Sequence, residues 1–229
     1  MSGQTPSTEA APPPSDSLRL PLLHIAACAA PTLIFLLVLW AIFRGETAVW
    51  IFFAEIRHSH RTLTRCVELF TDYGNVLINL PYVVLLTKAM TRKRRDYLRF
   101  VLAYAIALAT TLLAAQVVKG AVGRARPYLA REFAPWSWGP MHDSFPSGHT
   151  TEAMAAAIPL SQFFRSLAVP AMLGLYVAAM GLSRIYCGVH FMTDVLAGLV
   201  MGCGCGLLAR LILVRRWMAS PETLATASD

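Results

Sequence analysis

The sequence predicts an all-α, polytopic membrane protein: six transmembrane helices with the candidate active site at the outward membrane face. Three observations carry this. Of 229 residues, 56% are hydrophobic and 14% charged, with a mean hydropathy of +0.52, which excludes an ordinary soluble domain. Apolar runs recur at close to the roughly 20 residues that cross a bilayer. Basic residues collect in particular loops, as they do on the cytoplasmic side of membranes.

Residues 1–19 hold Pro12, Pro13 and Pro14 among Ser and Thr and carry too little apolar content to fold, so they read as a disordered cytoplasmic tail. The competing reading is a cleaved leader, because "IAAC" ending at Cys28 resembles a lipoprotein processing site. Against it, the apolar run continues past Cys28 to Phe43, longer than the h-region of about 7–15 residues that a leader uses. The membrane domain then occupies 20–216, and 217–229 form a cytoplasmic C-terminal tail.

Within that domain the spans are Leu20–Phe43, Leu69–Leu86, Leu98–Val118, Leu167–Ile185 and Phe191–Val214. A sixth, Thr150–Phe164, is shorter and contains Pro159; length alone equally allows a buried or re-entrant helix, and it is counted as a span. Lys88, Arg92, Lys93, Arg94, Arg95 and Arg99 crowd the turn between the second and third spans, and Arg215 and Arg216 follow the last. Both chain ends are therefore placed in the cytoplasm. Arg44, Arg57, Arg61 and Arg65 fall outside and weaken the asymmetry without reversing it.

Between the first two spans, "AVWIFFAEIRHSHRTLTRC" passes from aromatic to basic without reaching spanning length. It fits an interfacial helix with Trp50, Phe52 and Phe53 in lipid and Arg57, Arg61 and Arg65 near headgroups. It fits an outer loop packed on the bundle equally well. Cys28, Cys66, Cys187, Cys203 and Cys205 form no metal-ligand pattern and read as small apolar residues. Gly198, Gly202 and Gly206 recur every four residues, baring one helix face to a close neighbour that is intramolecular or a second subunit.

Three polar clusters interrupt the apolar background, and the expected topology brings all three out on the outward side. "KGAVGRARP" ends the third span with Lys119, Arg124 and Arg126. "SFPSGHTTEAM" opens the sixth helix, with Ser147 a plausible N-cap and Gly148 permitting close approach of the main chain, so that N–H groups and the helix dipole face an anion. "SRIYCGVHFMTD" supplies Ser183, Arg184, His190 and Asp194. His190 and Asp194 stand at i, i+4 on one helical face, the spacing for a carboxylate that holds an imidazole as an oriented base or nucleophile. A lone His–Asp pair or a lone capped helix start is more often structural. Gathered with Lys119, Arg126 and Arg184 they call for an anion, and phosphate suits the forked Arg donors and the compact Lys charge.

These residues resemble the three signature motifs of the type 2 phosphatidic acid phosphatase superfamily: Lys, six residues, Arg-Pro; Pro-Ser-Gly-His; and Ser-Arg, five residues, His, three residues, Asp. Lys119, Arg126, Pro127, Pro146, Ser147, Gly148, His149, Ser183, Arg184, His190 and Asp194 fill every position in order. The resemblance implies a metal-independent and cofactor-free phosphatase in which His190 attacks phosphorus to form a phosphohistidine and Asp194 orients the ring. His149 would be general acid to the leaving group and then base to water. Lys119, Arg126, Arg184, Ser147 and the Gly148 N–H would hold the phosphoryl oxygens, work that is mostly positioning and electrostatics.

Arg131, His142 and Glu152 lie near the motifs and read as loop or surface residues; Arg124 is kept apart as less easily dismissed. Trp136 and Trp138 are placed at the outer membrane–water interface or on the route of an entering headgroup. A site at the bilayer surface implies a membrane lipid phosphate as the partner, and no nucleic acid. Candidates within the family are phosphatidic acid, phosphatidylglycerol phosphate, a polyprenyl diphosphate and lipid A phosphate, acted on at the outward or periplasmic face of a bacterial inner membrane. The rival is a noncatalytic transporter or lipid-binding protein that keeps an anion site.

Overall fold

The computed structural model describes residues 16–129, 134–162, 164 and 166–218. Most of both expected tails and Arg131 lie outside the described residues. Seven α-helices follow one another: α1 (Asp16–Phe43), α2 (Glu46–Ser59), α3 (Arg61–Thr91), α4 (Arg95–Val122), α5 (Gly148–Ser161), α6 (Ala168–Tyr186) and α7 (Met192–Met218). Short 3-10 turns at Pro127–Leu129 and Pro140–His142 interrupt the connection between α4 and α5. Among the described residues the fold is all-helical.

α1, α3, α4, α6 and α7 are each long and apolar enough to cross a membrane, as befits an integral membrane protein. They keep apolar side chains on their outer surfaces, Leu37, Val76, Leu113, Met172 and Val200 among them, which in water would be a large unpaired patch. α1 starts at Asp16, four residues ahead of the expected span, and α3 starts at Arg61 rather than Leu69, so Arg61 and Arg65 ride on its first turns. α2 is a separate helix with Val49 and Phe53 buried against the bundle while Ile51 and Phe52 stay exposed. Both expectations for this segment survive in part: it is a helix, and it packs on its neighbours.

The sixth expected span is α5, whose 14 residues reach about 21 Å at the α-helical rise. That is short of a hydrocarbon core of about 30 Å. Instead it is the centre of the bundle: Thr150, Thr151 and every residue from Ala153 to Ser161 are buried, enclosed mainly by α7 and α6 and flanked by α1, α3 and α4. A helix apolar on all sides needs such an enclosure.

The glycine repeat of α7 finds its neighbour within the chain. A Cβ at Gly198 would lie 2.5 Å from the Ser147 carbonyl oxygen, one at Gly202 2.5 Å from Met154 Cβ, and one at Gly206 2.6 Å from Ile158. These glycines let the two backbones meet, the small-residue packing on which helices in lipid rely. Gly204, on another face, has nothing within 4 Å of such a carbon. Gly198→Ala is therefore expected to cost about 1–3 kcal/mol by overpacking against a rigid carbonyl. Gly204→Ala should leave the midpoint of thermal unfolding in detergent unchanged or slightly raised. Equal midpoints for the two variants would overturn this packing assignment.

Candidate active site

The three polar clusters meet at one end of the bundle, where α4 ends, α5 begins, and α6 turns into α7. α4 stops at Gly123, whose φ of +57° is the left-handed conformation that glycine adopts without strain, and whose N–H bonds the Lys119 carbonyl at 2.8 Å. The chain leaves this cap and pairs with its own returning segment: Ser144 N–H donates to Arg124 O at 3.1 Å and Arg126 N–H to Met141 O at 3.3 Å. That pairing sets Arg126 beside Asp143. Arg126 Nε and Nη2 both lie 2.7 Å from Asp143 Oδ1, and Lys119 Nζ lies 3.7 Å from Oδ2. Burial alone would raise the Asp143 carboxyl, but the Arg126 hydrogen bond and the charges of Lys119, Arg126 and His190 hold it below its ordinary value.

α5 enters through Ser147, the N-cap residue, whose hydroxyl pairs with Thr150 Oγ1 at 3.0 Å rather than with a helix N–H. Its carbonyl accepts from Thr151 N and Thr151 Oγ1, and its own N–H donates 2.9 Å to the Asp194 carbonyl, stapling α5 to α7. The N–H groups of Gly148 and His149 lie in the first turn, among those a helix leaves outside its own ladder. A Cβ at Gly148 would meet only the Lys119 ammonium, at 3.9 Å, so glycine keeps the space between backbone and cation clear. His149, at the same edge, is pushed down to about 4, first by burial and then by the charges of Arg184, His190, Lys119 and Arg126.

From α6, Arg184 reaches back across the bundle, Nη1 donating to Thr71 Oγ1 of α3 at 3.1 Å, while Ser183 Oγ donates to the same hydroxyl at 2.9 Å. Arg184 is buried and its Nε is without a hydrogen-bond partner. A tight turn through Gly188, φ +69°, then delivers His190.

His190 is 3% exposed and Asp194 fully buried. The imidazole Nδ1 lies 2.7 Å from the Ser144 carbonyl oxygen and 3.6 Å from Asp194 Oδ2. The hydrogen bond that orients the ring thus goes to a backbone carbonyl, with the carboxylate close behind. A carbonyl only accepts, so Nδ1 carries the hydrogen and Nε2 the lone pair. Burial pushes the imidazole below its ordinary value, and Asp194 opposes this. Asp194 is itself held by Ser144 Oγ at 2.6 Å, the Phe191 N–H at 2.8 Å and Arg124 Nη1 at 2.6 Å.

All eight site residues expected from sequence gather here: His190, His149, Asp194, Lys119, Arg126, Ser147, Gly148 and Arg184. Their surroundings were less legible. Lys119 and Arg126 have a carboxylate neighbour in Asp143, which the sequence shows only as a scattered acid. Thr71 and Ser144 carry no signal by themselves. Glu152 accepts from Asn75 Nδ2 at 2.8 Å and Asn79 Nδ2 at 2.9 Å, a polar contact inside the bundle in place of the surface expected of it. Arg124 bonds Glu46 and Asp194 rather than joining Arg126 on Asp143. Trp136 and Trp138 are exposed, the latter with its ring against Gly120.

The chain is 34% identical over 111 residues to lipid A 1-phosphatase of Rhizobium johnstonii, covering 45% of this chain and 43% of that protein. It is 33% identical over 147 residues to phosphatidylglycerophosphatase B of Bacillus subtilis, covering 58% and 66%. The chain thus spans about half the length of the relatives it matches. Among solved structures, a transmembrane PAP2-type phosphatidylglycerolphosphate phosphatase of Bacillus subtilis superposes with a TM-score of 0.54 at 26% identity, over 89% of this chain and 99% of that one. The family model described as the PAP2 superfamily matches residues 100–218, more than half of the sequence and all three polar clusters. By that match the chain belongs to the PAP2 superfamily.

Proposed function

We propose that this chain is a lipid phosphate phosphatase that hydrolyses a phosphomonoester or diphosphate of a membrane lipid through a phosphohistidine. The observation that carries the reading is the 2.7 Å contact of His190 Nδ1 with the Ser144 carbonyl, which leaves Nε2 with its lone pair on a ring that also feels the charges of Arg184 and Arg126. Nε2 attacks phosphorus as the bond to the leaving oxygen breaks. The imidazole gains positive charge in that step, and Asp194, 3.6 Å away, stabilises it. Lys119, Arg126, Arg184, Ser147 and the Gly148 N–H take up the phosphoryl charge.

His149 passes a proton to the leaving oxygen and later takes one from the water that cleaves the nitrogen–phosphorus bond. Burial first, and then the cations around it, keep its ring neutral in the free site. A phosphate dianion drawn among those cations offsets their charge, so protonation of His149 is coupled to substrate binding. Asp143 competes for the same cations, and the incoming phosphate takes over Lys119 and Arg126 from it.

Membrane placement follows from charge. The end of the bundle opposite the site carries the Lys88–Arg99 cluster and leads to Arg215 and Arg216, which supports a cytoplasmic location for that end and an outward one for the site. α5 is too short to span the bilayer by itself, but it carries the chain inside the bundle from the site end toward the start of α6, so it counts as the sixth passage of a membrane domain over 20–216 with both tails cytoplasmic. In a Gram-negative cell this is the inner membrane with the site in the periplasm. The matched relatives are named for lipid phosphates, which supports a substrate whose tail stays in the bilayer.

Purified protein is expected to release inorganic phosphate from at least one lipid phosphate in the presence of a chelator, and His190→Ala to abolish release. Silence across a broad lipid panel overturns the reading in favour of the binding protein; loss with chelator alone overturns the metal-free chemistry. His149→Ala should lower the rate on an alkyl phosphate by about 10²–10⁴-fold. The loss in the first-turnover release of the leaving group should be far smaller on an aryl phosphate, whose leaving oxygen departs without a proton, while later turnovers stay slow because water still needs the base. Asp143→Asn should tighten inhibition by inorganic phosphate several-fold by removing the competing carboxylate; weaker inhibition would mean that Asp143 positions the cations instead. For orientation, a cysteine placed at Ser137 in a variant without other cysteines should react with an impermeant maleimide in intact cells. Reaction only after lysis would invert the topology.

A further inference from the structure

α2 has no part in the reaction described above, yet it grips the segment that carries His190 from both sides. At its first residue, Glu46 Oε1 accepts from the Thr193 N–H at 2.7 Å and from Thr193 Oγ1 at 2.8 Å. Glu46 Oε2 accepts from Arg124 Nη2 at 2.7 Å. Arg124 continues the chain with its other nitrogen, Nη1, which lies 2.6 Å from Asp194 Oδ1 and 2.5 Å from Thr193 Oγ1. Its guanidinium also covers the Phe191 ring at 4.1 Å. Toward the far end of α2, Arg57 donates to the Tyr186 carbonyl, and Arg57 and Trp50 close over Gly188, where an added Cβ would sit 3.0 Å from each.

Charge explains why the chain should end on a carboxylate. Asp194 acts on the imidazole through its negative field, and an arginine bonded directly to it would cancel much of that field. Glu46 supplies the compensating charge on the other side of Arg124. The trio Glu46–Arg124–Asp194 keeps a net charge of about −1 with all three groups ionised, while the planar guanidinium fixes both carboxylates geometrically. We propose that Glu46 and Arg124 are positioning residues for the reaction, setting through Asp194 the orientation and charge around His190, and that α2 is the brace that presents them. This rests on the phosphatase reading of the site.

The test compares full-length wild type, Glu46→Gln, Arg124→Gln and the double variant for kcat and KM on a lipid phosphate, inhibition by inorganic phosphate, and the midpoint of thermal unfolding. Each single variant is expected to lose kcat about 10–100-fold, by analogy with the loss when the hydrogen-bond partners behind a metal-ligating histidine are removed. Phosphate inhibition should stay within about twofold of wild type, because Lys119, Arg126 and Arg184 are untouched. The double variant should be no worse than the poorer single, as for residues acting in one chain. Wild-type kcat in both singles overturns the proposal. So do multiplicative losses, weakened phosphate inhibition in Arg124→Gln, which would make Arg124 a phosphate ligand, or losses of kcat no larger than the loss of folded protein. A wild type that releases no phosphate sinks the phosphatase reading itself, a result distinct from any of these.

Discussion

Gly198 lets α7 lie against the Ser147 carbonyl of α5, at a distance that no side chain would permit. From that contact follows the bond between the Ser147 N–H and the Asp194 carbonyl, which joins the helix carrying His149 to the helix that follows His190. Two histidines 41 positions apart in sequence are thereby held in one frame. Lipid supplies no hydrophobic drive for two apolar helices to associate, so backbone proximity and dispersion must hold them, and those fail steeply with distance. The polar end of the bundle inherits its precision from a glycine face that bears no chemistry.

Charge is handled by the same economy of contacts. Asp194 is fully buried but has a donor on each oxygen, and one donor is the Arg124 cation. Unpaired, such a carboxylate would cost several kcal/mol and take up a proton instead. The anion pocket is biased the opposite way: Lys119, Arg126 and Arg184 share the single carboxylate of Asp143 and one threonine hydroxyl in the contacts described. One half of the site is thus electrostatically closed and the other keeps an excess of cationic charge, a division that suits the proposed roles of holding a nucleophile and receiving a phosphate. Deeper in the bundle, Glu152 meets two asparagine amides and Tyr104 donates to Asn79 Oδ1 at 2.6 Å, so the carboxylate below the site is paired, while Asn75 Oδ1 is left without a hydrogen-bond partner.

The helical fold and the list of site residues were legible because both rest on local patterns. An apolar run of about 20 residues announces a span wherever it occurs. Pro-Ser-Gly-His before a helix, and His190 four residues before Asp194, are spacings within one turn. The expected segments fell within a few residues of α1, α4, α6 and α7, while α3 began earlier because its first two turns are basic and do not register as span. α5 was ambiguous for the same reason: its length and Pro159 describe a buried helix and a short span equally well.

What the sequence by itself determined is a set of helices and the chemical inventory at their ends. Tertiary structure decided who holds whom. The i, i+4 spacing of His190 and Asp194 pointed to a direct hydrogen bond, but the ring turned instead to the Ser144 carbonyl, because the chain returning past Arg124 places that oxygen nearer. Lys119 and Arg126 looked unpartnered until the same return brought Asp143 between them. Glu46 lies 148 positions before Asp194, with no periodicity to connect them. Such pairs depend on loop paths and helix orientation, set by packing over the whole bundle, and no window of neighbouring residues encodes them.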